Sequence, residues 1–72
     1  NGQLLSNASK AGFQVFVTID KNLQYQQNIK EYGLAIVVLE TRLNRLEYLR
    51  PLMPILIRAL PEMLPGEVYE IR

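Results

Sequence analysis

The sequence predicts a small α/β domain built on a parallel sheet, and three observations carry that expectation. Leu34–Leu39 is six apolar residues without alternation, the pattern of a strand buried on both faces. Phe13–Ile19 puts Phe13, Val15, Val17 and Ile19 on one side of an earlier strand, while Phe16 and Thr18 leave the other side only half polar. That strand is expected to be covered on both faces too. Leu23–Tyr32, between them, places Tyr25, Ile29 and Tyr32 at i, i+4, i+7 of a helix. Strand, helix, strand is a βαβ unit, and its crossover is expected to be right-handed.

The remaining elements follow from local chemistry. The first eleven residues read as a short helix with Leu4, Leu5, Ala8 and Ala11 on one face, stopped by Gly12. Asp20-Lys21-Asn22 breaks the first strand, and Gly33 closes the helix that follows. After Glu40, Asn44 and Glu47 have the spacing of a capping box for a helix through Leu46 and Leu49. Arg50 precedes Pro51 and is expected to leave α geometry. A nearly all-apolar helix from about Pro51 to Leu60 comes next, with Pro54 tolerable only in its first turn. Pro61 and Pro65-Gly66 end the helical stretch, and Glu67–Arg72 can form a last short strand through Val68, Tyr69 and Ile71.

Length and composition bound the function. Seventy-two residues make one small domain, which hides only about 60–65% of the surface its unfolded chain exposes. Cysteine and histidine are both absent, which removes disulfides, Cys/His zinc sites, histidine-based nucleophile systems and histidine pH switches. Eight Lys and Arg against seven Asp and Glu give +1, too balanced for an electrostatic signature of nucleic acid or an anionic membrane. The apolar runs are far short of a membrane span and no signal-peptide pattern opens the chain, so a cytoplasmic protein is expected. No repeats occur. Two or three strands with a few helix pieces barely cover a strand like Leu34–Leu39 on both faces. Further strands upstream of Asn1, or a second chain sharing the core, would supply the cover, and a partly represented domain is the preferred expectation.

In open parallel sheets ligands bind outside the carboxyl ends of the strands, where Asp20 and Glu40 both stand. On adjacent strands about 4.8 Å apart, the two carboxylates can converge on one divalent cation. The competing reading is structural: Asp20 makes an Asx-turn or caps the following helix, with Asn22 as the other cap, and Glu40 is a solvated strand end.

Gly12-Phe13-Gln14-Val15-Phe16-Val17-Thr18-Ile19-Asp20-Lys21-Asn22-Leu23 resembles the late strand and turn of PIN-like domains, where a hydrophobic strand runs into Thr-x-Asp-x-Asp-Phe. It is similar above all to small bacterial PIN-like proteins, in which the segment continues as Gln24-Tyr25-Gln26-Gln27-Asn28 does here, followed by an Ala-Ile-Val-Val-Leu strand. Leu49-Arg50-Pro51-Leu52-Met53-Pro54 and Pro65-Gly66-Glu67-Val68 fit the same subgroup. The resemblance implies a three-layer PIN-like fold with a parallel central sheet, of which residues 1–72 are about the C-terminal two-thirds. It also implies a metal-dependent ribonuclease of the toxin–antitoxin type, with acidic side chains holding Mg²⁺ or Mn²⁺ to activate a water. RNA is then the substrate and an antitoxin the partner.

Residue by residue, the implied acidic cluster is depleted. Asp20 matches the Thr-x-Asp acid and is the catalytic and metal-binding candidate, with Thr18 as the hydroxyl before it. The next acid falls on Asn22, and a middle acid would fall on Asn1 or Gln3, all amides. Glu40 matches no family acid and is a metal candidate by placement alone. Thr18, Lys21 and Asn22 are the substrate-binding candidates. One carboxylate holds a hard cation poorly without many waters or a substrate phosphate, so this chain by itself is expected to be inactive. The alternative is a non-catalytic PIN-like interaction module, a homo-oligomer or antitoxin binder using the apolar Pro51–Leu60 helix.

Other groups are weighed against plainer roles. Gln24, Gln26, Gln27 and Asn28 can contact nucleotides or simply face solvent. Arg42 and Arg45 can form a basic spot, although surface pairing with nearby Glu31, Glu40 and Glu47 is the better reading. Tyr25 and Tyr32 can stack on bases or pack beside Ile29.

Overall fold

The computed structural model describes residues 2–41 and 45–72. Strands β1 (Val15–Thr18), β2 (Ala35–Leu39) and β3 (Val68–Ile71) form one sheet in that order, with both pairs parallel. All five residues of β2 are buried, as its unbroken apolar run requires of a central strand. Leu34, Ile36 and Val38 pack on one side against Leu5 and Ala8 of α1 (Gly2–Lys10) and against Leu23 and Ile29. Val37 and Leu39 pack on the other side against Leu52, Leu56 and Ile71. The result is three layers, helix, sheet, helix.

The two crossovers have opposite hands. Both step the same way across the sheet, but the first lies on the α1 face and the second on the other. The Ile36 N–H donates toward β3, to Glu67 O, while its side chain lies on the α1 face. For an L residue that geometry makes the first crossover right-handed, as expected, and the second left-handed. Between residues 39 and 68 the chain is long enough to reach either face, and the apolar stripe of its helices selects the face that α1 leaves open.

The first crossover departs from the expected single helix. It consists of α2 (Leu23–Gln26) and a 3₁₀ turn at Ile29–Tyr32, with Gln27 between them extended at φ −129°, ψ 149°. Leu23 and Ile29 are six residues apart, about 240° around an ideal helix, so one straight helix cannot aim both at the sheet. The break lets both be buried, and it turns Tyr25 out to 80% exposure, off the face it was expected to share with Ile29. The Ser9 hydroxyl donates to Tyr32 O at 2.6 Å, tying α1 to the end of this segment. Gly33 stops it in the left-handed region at φ 65°, and a Cβ there would meet nothing within 4 Å. Gly33→Ala is therefore expected to cost about 1–2 kcal/mol of backbone strain without changing the fold. Thermal denaturation beside an unchanged circular-dichroism spectrum checks this.

The second crossover runs through α3 (Leu46–Leu49), a 3₁₀ turn at Arg50–Leu52, α4 (Met53–Ala59) and a 3₁₀ turn at Leu60–Glu62. Arg50 stays helical at φ −53°, ψ −46°, against the expectation from Pro51. Leu49, Leu52, Met53 and Leu56 reach the sheet together only on a continuous helical spacing. Their burial outweighs the pre-proline preference, and the backbone absorbs Pro51 by tightening to 3₁₀. Pro54 stands in the first turn of α4, as required. The proposed Asn44 cap lies outside the described residues, as does Arg42. Gly66, at φ 83°, turns the chain into β3, and its N–H donates to Leu34 O at 2.9 Å. The Leu64 N–H donates to the Tyr69 hydroxyl at 2.8 Å across the same turn.

One expected burial does not occur. α4 packs on β2, β3 and the start of β1, so the far part of β1 is bare on that side. Val17 is 43% exposed, with Phe13 at 66% and Ile19 also exposed. The strand is four residues long rather than the seven expected. No helix among the described residues is long and apolar enough to cross a membrane.

Candidate functional site at the strand carboxyl ends

Register places the candidate acids. Thr18 lies opposite Val38, and Leu39 lies opposite Ile71. Continued by one residue, the β2–β3 register sets Glu40 beside Arg72, while Asp20 follows Thr18 by two residues, past a bend at Ile19 where β1 has left the ladder. The parallel ladder extends past β2, since the Glu40 N–H donates to Ile71 O at 2.8 Å.

Asp20 is held by its own turn. Its N–H donates to Thr18 Oγ1 at 3.0 Å, and its Oδ1 accepts the Asn22 N–H at 2.9 Å. That is the Asx-turn of the structural reading, and it aligns the entry to α2, whose Asn22 makes no side-chain cap of its own. Thr18, Asp20 and Asn22 thus form one local unit, as their sequence spacing suggested.

Glu40 is engaged elsewhere. Arg72 Nε lies 2.7 Å from Glu40 Oε2, and the same guanidinium donates to Glu70 Oε2 at 3.2 Å. The Glu40 side chain is 21% exposed and that of Arg72 74%, so the bond is charge-assisted but screened by water on the arginine side. Lys21, Glu40, Thr41 and Arg72 line an open hollow of about 450 Å³ beside this pair. Lys21 is therefore at the hollow, while Asn22 belongs to the turn.

Arg72 is the residue that sequence reasoning missed. Its role depends on β3 pairing beside β2 in this register, and no local motif announces that pairing. Gln3, one position suggested for a further acid, is exposed on α1 and donates to Asn7 Oδ1 at 3.0 Å within its own helix. Asn1 lies outside the described residues. Among the described residues, no group of three or more His, Cys, Asp or Glu side chains is placed to hold a metal ion. Lys21, Glu40 and Arg72 give the hollow polar groups of both signs, which suit a small polar ligand. A hard cation would have to compete with Arg72 for Glu40.

The other candidates are not gathered here. The break after α2 divides the amides, leaving Gln26 and Asn28 exposed and Gln24 and Gln27 half-buried. The Tyr32 hydroxyl donates to Gln27 Oε1 at 3.3 Å. The α4 region buries Leu52 and Leu56 in the core and exposes Ile55, Ile57 and Leu60. A second, smaller cavity of about 270 Å³ lies at the opposite, amino ends of the strands, lined by Val15, Ala35, Leu60 and Met63. Comparison of the chain with family models, with curated proteins and with solved structures finds no match.

Proposed function

We propose that this chain is a PIN-like domain of the toxin–antitoxin-related kind with a depleted acidic site, acting as a non-catalytic interaction module. The observation that carries this reading is the Arg72–Glu40 pair: it occupies the carboxylate best placed to join Asp20 around a cation. The Asx-turn employs one oxygen of Asp20 as well. The positions where the resemblance calls for further acids hold amides. The exposed Ile55, Ile57 and Leu60 offer an apolar contact for a protein partner.

A second reading keeps the chemistry: a Mg²⁺- or Mn²⁺-dependent ribonuclease in which Asp20 holds the metal. Its support is that Asp20 and Glu40 each follow, by two residues, the paired Thr18 and Val38 at the carboxyl ends of adjacent strands. Labelled single-stranded RNA incubated with Mn²⁺ and either the unaltered chain, Asp20→Ala or Arg72→Ala separates the two. The module reading expects no metal-dependent cleavage from any of them, and Asp20→Ala destabilised by about 1 kcal/mol through loss of the turn. Cleavage that vanishes in Asp20→Ala and rises in Arg72→Ala would overturn it in favour of the nuclease.

A further inference from the structure

We propose that β1 is a self-association edge, pairing antiparallel with β1 of a second copy about a two-fold axis at Val17 to make one six-stranded sheet. The proposal rests on the interaction-module reading and gives it a second contact, with another copy of this chain, separate from the α4 surface offered to a protein partner. Ala35 N–H donates to Gln14 O, so the even-numbered residues of β1 serve the ladder to β2. Val15 and Val17 therefore direct their own N–H and C=O groups to the open edge. Among the described residues the outer edge of β3 is also unpaired, but the charges of Glu70 and Arg72 guard it in the usual way. Residues 13–19 carry no charge, and the side chains of Phe13, Val17 and Ile19 are exposed.

Self-complementarity selects a second copy as the occupant. Pairing about Val17 sets Val15 against Ile19, Phe16 against Thr18, Gln14 against Asp20 and Phe13 against Lys21, so no like charges are opposed. The bare apolar strip beside α4 then continues across the axis into its symmetry mate. A parallel addition at the same edge cannot be two-fold symmetric and would not close, whereas the antiparallel one gives a finite dimer.

Sedimentation over a wide protein concentration range tests this with Val17→Lys, Val17→Pro and Ile57→Asp. Both sites are exposed. Proline at position 17 removes only an outward N–H, and circular dichroism confirms that each variant stays folded. The expected result is a concentration-dependent dimer that both Val17 variants weaken by about tenfold or more and that Ile57→Asp leaves intact. A monomer at every concentration, open-ended assembly, or a dimer lost in Ile57→Asp but not in the Val17 variants would overturn the proposal. The RNA assay is a separate readout, so failure of the edge pairing leaves the module reading to be judged on its own.

Discussion

Leu56→Asp is expected to unfold the domain. Leu56 is 7% exposed and packs with Val37, Leu39, Leu52 and Ile71 beneath the sheet. Among the described residues no buried polar or charged side chain stands there to receive a carboxylate. Burying one without a partner costs several kcal/mol. Native domains have only about 0.05–0.15 kcal/mol of net stability per residue, so a chain of 72 residues has little more than that to lose. The far-ultraviolet circular-dichroism spectrum of this variant should be that of an unfolded chain at 25 °C. Ile57→Asp, one residue on but 64% exposed, should stay within about 0.5 kcal/mol of the unaltered protein. A folded Leu56→Asp would mean that the second crossover does not bury the face described here. The contrast also dictates how the helix is to be probed: its outward residues are Ile55 and Ile57, and a charge at Leu56 reports on the core.

Leu5→Ala should have the next largest effect. Leu5 is fully buried and joins Leu23, Ile29, Leu34, Ile36 and Val38, so it anchors α1 over the face it covers. Truncating a buried leucine costs about 2–5 kcal/mol. In a domain of this size each kcal/mol lowers Tm by roughly 4–8 °C. A fall of at least about 8 °C is expected, against little change for Leu4→Ala, whose side chain is exposed. Equal effects at the two positions would show that α1 does not dock through this face.

Some of this architecture was legible because it depends on short-range chemistry. Leu34–Leu39 has no polar residue to offer a wet face, so it had to become the central strand. Gly33 is left-handed, as expected of the residue that closes the segment before β2. Thr18, Asp20 and Asn22 make their turn through contacts two residues apart, which spacing alone exposes. The helical break at Gln27 was hidden, because it arises from two leucine-sized anchors, Leu23 and Ile29, competing for the same sheet face.

The sequence by itself determined the α/β class, the parallel pairing of the βαβ unit and the places of its two strands, and it offered the Asp20 turn as one of two readings. Each of these follows from apolar periodicity or from hydrogen bonds between near neighbours. Only the tertiary structure decided that Arg50 stays helical, that β1 keeps one bare face and an open edge, and that Arg72 holds Glu40. All three depend on which surface the second crossover covers and on the register of β3 beside β2. Those are choices among packings of similar local energy, settled by where Leu52, Leu56 and Ile71 bury the most apolar surface.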